Sequence, residues 1–165
     1  MKLLVLSDSH ASKSFMRLAI GAVRPDAVIH LGDYYEDGQT MQEEFPHIRF
    51  HLVPGNCDRG RMLQAAPEML CYDVCGVRIF MTHGHNHFVK QTLSRLLSDA
   101  KGLGAAAALY GHTHEPDCHQ EEDGLWVLNP GTCGTYGGSV GLVEIQDKKI
   151  QSCRILRQPE LEELL

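Results

Sequence analysis

The sequence predicts a mixed α/β domain in which two packed mixed β-sheets are flanked by helices, an α-β-β-α sandwich. Three observations predict it. Short apolar runs alternate with helix-spaced segments through the first two-thirds of the chain, as βα units do. The last third reads instead as antiparallel strands joined by polar turns. Each sheet or helix has an apolar face to bury, and two sheets packed together with helices outside bury all of them. At 165 residues the chain suits one domain and can build a core without staples. Residues 1–157 read as that domain and 158–165 as a short acidic C-terminal tail, helical or frayed.

Taken in order, residues 3–6 form a continuous apolar run ending at Ser7-Asp8-Ser9, the pattern of a short buried strand. Ser12 is placed to cap a helix whose stripe is Phe15, Leu18, Ala19, Ala22 and Val23, and Pro25 stops it. Residues 27–29 give the second strand, ending at Gly32-Asp33. A short helix is predicted near 40–45, then a third strand over 50–53 that ends at Pro54-Gly55-Asn56. Residues 69–74 and 77–81 read as two strands around a Cys75-Gly76 turn. A helix with a Val89, Leu93, Leu96 and Leu97 stripe follows, then a buried strand over 105–110. Glu121 to Gly124 supply a hairpin turn between strands at 116–120 and 125–128, and two more strands, 140–145 and 150–156, flank Asp147-Lys148-Lys149.

Lys and Arg number 15 against 21 Asp and Glu, a formal charge of −6, which argues against counterion-driven, non-specific nucleic-acid binding. It leaves a small anionic substrate open, because bound divalent cations reverse a local field. Six cysteines form no C-x-x-C pair, which removes a zinc ribbon and a thioredoxin-like motif. The opening apolar run is too short for a signal peptide, and no stretch approaches the ~20 apolar residues of a membrane span. Free thiols without an export signal point to the cytoplasm. A homo-oligomer is left open. The unusual figure is ten histidines, since imidazole is the commonest biological metal ligand.

Their placement carries the chemistry. The residues just beyond the predicted strands are Asp8 and His10, Asp33, Asn56, His83 and His85, and His112 and His114. Ligand sites in open α/β sheets gather beyond the carboxyl ends of strands, so these side chains should converge. A single Asp-x-His or Gly-Asp at a strand end is ordinary turn or cap chemistry. Five histidines with their carboxylates at five strand ends are not explained that way. Imidazole, carboxylate and amide donors without thiolate suit Mn, Fe, Zn, Co or Ni better than Mg or Ca. Asp8, His10, Asp33, Asn56, His83, His112 and His114 exceed the needs of one ion, whereas two ions sharing one carboxylate use them well and suit in-line displacement at phosphorus.

Asp8-Ser9-His10, Gly32-Asp33, Gly55-Asn56-Cys57-Asp58, His83-Gly84-His85 and Gly111-His112-Thr113-His114, in that order, resemble the signature of the calcineurin-like metallophosphoesterase superfamily. The length, and Asn129-Pro130-Gly131-Thr132 after the last motif, are similar to its small YfcE-type phosphodiesterase branch. The resemblance covers about residues 1–157 and implies the metallophosphoesterase form of the sandwich. It implies one metal on Asp8, His10 and His114, another on Asn56, His83 and His112, and Asp33 bridging them. It further implies Mn²⁺ or another transition ion and hydrolysis of a phosphomonoester or phosphodiester by metal-bound hydroxide, the likeness to the YfcE-type branch favouring the diester.

Cys57 stands where many superfamily members have a histidine that helps the leaving group depart. A thiol is a weak donor with a reference pKa of ~8.5, so activity should favour good leaving groups, or His85 or the substrate should supply the proton. Asp58 either orients a neighbouring ligand or caps its turn. The competing function is a metal-binding protein-interaction scaffold of the same fold with little catalysis. All seven ligand positions being intact counts against it.

Overall fold

The structure, a computed structural model, describes residues 1–58, 60, 66–134 and 138–165. Its elements in chain order are β1 (Lys2–Leu6), α1 (Lys13–Val23), β2 (Ala27–His30), α2 (Tyr35–Glu44), β3 (Arg49–Leu52), β4 (Met69–Val74), β5 (Val77–Thr82), α3 (Ser94–Gly102), β6 (Ala107–Leu109), β7 (Asp117–Gln120), β8 (Trp126–Asn129), β9 (Ser139–Gln146), β10 (Lys149–Arg157) and α4 (Gln158–Glu162). A 3-10 turn, His85–His87, lies between β5 and α3. Two five-stranded sheets result, ordered β10-β9-β1-β2-β3 and β4-β5-β6-β8-β7. In the first, β1, β2 and β3 run parallel, with β9 antiparallel to β1 and β10 to β9. In the second, β5, β6 and β8 run parallel and both edge strands run the other way.

Strand side chains alternate between two cores, which is why the central strands are apolar at almost every position. Leu3, Val5, Ala27 and Ile29 meet Ile79, Met81, Ala107 and Leu109 between the sheets. Leu4, Leu6 and Val28 face the other way, onto Met16, Ala19 and Ile20 of α1, Met41 of α2 and Leu161 of α4. Phe80, Ala108 and Val127 pack outward onto Leu96 and Ala100 of α3. Each of the larger side chains among them, Val, Leu, Ile, Met or Phe, contributes about 1.5–3 kcal/mol by leaving water. Among the described residues, no helix is long and apolar enough to cross a membrane.

The two-sheet sandwich agrees with the sequence, while several local details differ. Ser12 occupies the N-cap of α1 but makes no side-chain cap bond. The helix expected near 40–45 begins at Tyr35 instead, with Glu36 and Asp37 in its first turn. Gly38 and a sparse apolar face concealed it, although acids at a helix N-terminus are favourable. The stripe from Val89 to Leu97 is not one helix. Phe88 takes a left-handed conformation (φ 56°) after the 3-10 turn, and regular helix starts only at Ser94. The segment read as a tail forms α4, whose Leu161 is fully buried.

Candidate metal centre

The parallel strands of both sheets end along one rim, and the loops leaving them carry the polar residues. Backbone pairing locks these loops together: the Asp8 amide donates to Gly32 O (2.9 Å), and Gly111 N donates to His83 O (2.9 Å). Asp8, His10, Asp33, Tyr34, His112 and His114 all have positive φ, between 44° and 70°. Asp and His enter this region more readily than most residues, at some cost in strain. Two close approaches admit only glycine. A Cβ on Gly55 would stand 2.2 Å from Asp33 Oδ1, and one on Gly111 would stand 2.0 Å from Ser7 Oγ.

Asp8, His10, Asp33 and His114 each bring a ligand atom within 4.8 Å of the others. His114 Nε2 lies 3.1 Å from Asp8 Oδ1 and 3.4 Å from His10 Nε2. His83 Nε2 lies 3.0 Å from Asn56 Oδ1, 3.6 Å from Asp33 Oδ1 and 4.0 Å from Asp8 Oδ1. The His112 ring packs against His83 with centroids 5.1 Å apart. The seven side chains named from the sequence thus gather on one rim.

The donor set fits a cation. His83 Nδ1 is 2.8 Å from Leu31 O, so Nδ1 carries the hydrogen and Nε2 turns its lone pair toward three oxygens. Asp8 Oδ2 accepts bonds from Ser7 Oγ (2.5 Å) and His112 N (3.1 Å), yet the buried Asp8 Oδ1 accepts no hydrogen bond from the described residues and faces only the ring nitrogens of His114 and His83. Converging nitrogen and oxygen donors around a fully buried carboxylate oxygen make a site that a divalent ion would satisfy. Burial, then the neighbouring His83, lowers His112 to about 4, so its imidazole is neutral and able to ligate. Burial alone would raise Asp33, but the Cys57 amide it accepts (2.8 Å) and the nearby His83 and His10 hold it below the ordinary carboxylate value.

The remaining sequence candidates fall in two groups. His85 is at the centre, 5.4 Å from His83 and 6.1 Å from His112 between ring centroids, with a buried Nδ1 that has no partner among the described residues. Burial and then His83 lower its pKa. Cys57 is exposed beside Asn56, and its bond to the Asp33 carboxylate, followed by burial, raises the thiol. Asp58 is different. Its two oxygens accept Tyr35 N (2.8 Å) and Gly55 N (2.7 Å), so it fixes the turn that presents Asn56.

The sequence reading missed the supports beneath the ligands. Gly32 N donates to His30 Nδ1 (3.3 Å), His30 Nε2 lies 3.1 Å from Ser9 Oγ, and Ser9 Oγ donates to Asp37 Oδ2 (2.7 Å). Asp37 also accepts Ala11 N (2.9 Å), tying α2 to the loop that carries Asp8 and His10. At the end of β8, Asn129 holds Gly111 O and Thr113 Oγ1, and Thr132 Oγ1 donates to Asp8 O. No local pattern marks Asp37, which lies in the middle of a polar segment. Tyr34, also left out of the sequence's site, is exposed and edge-on to His10 at 5.2 Å.

The fold and rim define an α-β-β-α protein with a cluster of side chains at its strand ends that could hold a metal ion. The chain belongs to the calcineurin-like phosphoesterase superfamily, whose domain model matches residues 1–148. It is 29% identical over 134 residues to a probable metallophosphoesterase of Mycoplasma pneumoniae, covering 79% of this chain and 78% of that one. It is 26% identical over 170 residues to a phosphodiesterase of Methanocaldococcus jannaschii, covering 93% and 97%. Among solved structures it resembles Vps29 of Entamoeba histolytica complexed with zinc, with a TM-score of 0.72, 23% identity and coverage of 95% and 98%.

Proposed function

We propose that the protein is a phosphodiesterase that works with two divalent transition ions, Mn²⁺ first among them. Asp8, His10 and His114 would hold one ion and Asn56, His83 and His112 the other, with Asp33 shared. The observation carrying this is the position of Asp33. Its carboxylate belongs to the four-residue group, and its Oδ1 also stands 3.6 Å from His83 Nε2 of the second set. Two such ions, when bound, supply an activated water and positive charge against the phosphoryl oxygens.

The chain's own residues supply orientation. Leu31 O fixes the His83 ring, Ser7 and the His112 amide fix Asp8, and the Cys57 amide fixes Asp33. His85, neutral near pH 7, is the nearest group to assist a departing alcohol, while the raised Cys57 thiol remains protonated and is neither nucleophile nor strong acid. Good leaving groups are therefore favoured. The phosphodiesterase relative supports diester hydrolysis, and the zinc complex of Vps29, which shares the fold, supports a bound divalent ion. Six free cysteines suit a reducing compartment, so we place the protein in the cytoplasm.

The test is turnover of bis(p-nitrophenyl) phosphate and p-nitrophenyl phosphate by chelator-stripped protein reloaded with Mn²⁺. Metal-dependent hydrolysis favouring the diester is expected. Tight metal binding without turnover of either ester would leave the scaffold reading in its place.

A further inference from the structure

We infer that the groove beside His112 is the subsite for the second alcohol of the diester, and that it selects a neutral or ammonium-bearing alcohol over one carrying another phosphate. This rests on the reading of the rim as a phosphodiesterase centre. The groove, of about 560 Å³, is lined by Val89, Lys90, Leu93, Tyr110, Thr113, Glu115, Pro116 and Asp117. That volume lies within the ~300–1,000 Å³ of small-molecule sites and is far more than a phosphoryl group needs. Thr113 joins it to the metal centre, being the residue between His112 and His114. A substrate phosphorus held on the rim would therefore direct one substituent into the groove.

The wall chemistry names that substituent. Val89, Leu93 and Pro116 offer apolar surface. Tyr110 donates to Asp117 Oδ2 (3.2 Å), and burial, then Asp117, raises its phenol, so it stays protonated. Asp117 Oδ1 is engaged by His119 (3.0 Å), which leaves Asp117 as a fixed and partly compensated charge. The Glu115 side chain is exposed and has no ion pair or hydrogen bond among the described residues. Lys90, also on the lining, likewise makes no ion pair among them. One cation against two carboxylates leaves the lining net negative, which suits a neutral or positive alcohol. A second phosphate would lie against Glu115 and Asp117.

The experiment compares three p-nitrophenyl phosphodiesters on the Mn²⁺-loaded protein, with ethanol, 2-aminoethanol or 2-phosphoethanol as the second alcohol. The first two should be turned over with higher kcat/KM than the third. Glu115→Lys, at an exposed position, should shift the ratio of aminoethyl to phosphoethyl ester by about tenfold toward the phosphorylated one. Lys90→Ala should raise KM for all three without changing their order. Turnover of all three with equal kcat/KM, or an order untouched by Glu115→Lys, overturns the subsite while leaving the phosphodiesterase reading intact. Absence of turnover on every ester overturns both.

Discussion

The ligands of the rim divide into an inner and an outer set, held in different ways. Asp8, Asp33 and His83 are buried, and each is anchored by a hydrogen bond that crosses between loops. Two of these bonds, His83 to Leu31 O and His112 N to Asp8, join one sheet to the other. His10, His114 and Asn56 are half-buried or exposed, and among the described residues their side chains meet other members of the site, Tyr34 and the neighbouring Cys57. The inner set therefore serves the fold as well as the proposed metal site, whereas the outer set would serve the metal site alone. Preorganised inner ligands limit the reorganisation needed on binding, and outer ligands leave room for water and substrate.

The largest break should come at the residue shared by both proposed ion sites. Asp33→Ala is expected to lower kcat/KM for bis(p-nitrophenyl) phosphate by at least about 10³-fold, because several kcal/mol of charge stabilisation depend on the paired ions. Circular dichroism should still report a folded protein. Turnover near the wild-type level would remove Asp33 from its shared role.

Acid should weaken the inner set's support next. His30 is lowered to about 4, chiefly by burial, from an ordinary 6.5. As pH falls, the unfolded chain takes up this proton first, so stability is full above about 6.5 and is lost toward 4. Metal-free protein should lose on the order of 2 kcal/mol between pH 7 and pH 5 from this group. Urea midpoints at the two pH values measure it, and His30→Gln should flatten the dependence. A variant as pH-sensitive as the wild type would assign the effect elsewhere.

Comparing one inner with one outer ligand sharpens the division. In metal-free protein His83→Ala should cost about 2 kcal/mol, since it leaves Leu31 O without its donor and opens space beneath the rim. His10→Ala should stay within about 0.5 kcal/mol of wild type. Both should weaken Mn²⁺ binding in a calorimetric titration. Equal destabilisation by the two substitutions would erase the distinction.

The smallest expected change lies at the solvent edge. Cys57→His should improve turnover of esters with poor leaving groups by at least about tenfold, part of the 10²–10⁴ that a positioned acid contributes. Esters of p-nitrophenol should change little. No gain on alkyl esters would mean that leaving-group protonation is not what Cys57 limits.

The sequence by itself determined the layers and the ligand types. A run such as residues 3–6, followed at once by Ser7-Asp8-Ser9-His10, announces a strand buried on both faces and a polar loop at its end. Repetition of that pattern at β2, β3, β5 and β6 was enough to name the seven side chains that gather on the rim. Only the tertiary structure decided how those ligands are held. Asp37 reaches Ser9 and Ala11 because α2 starts five residues earlier than the local sequence suggests. Asn129 and Thr132 reach the rim from a strand that supplies no ligand. The groove beside Thr113 takes Val89, Lys90 and Leu93 from the irregular stretch between the 3-10 turn and α3. Periodicity records which face a residue buries, an interaction repeated along its own element. A single hydrogen bond between side chains far apart in the chain leaves no such repeat to read.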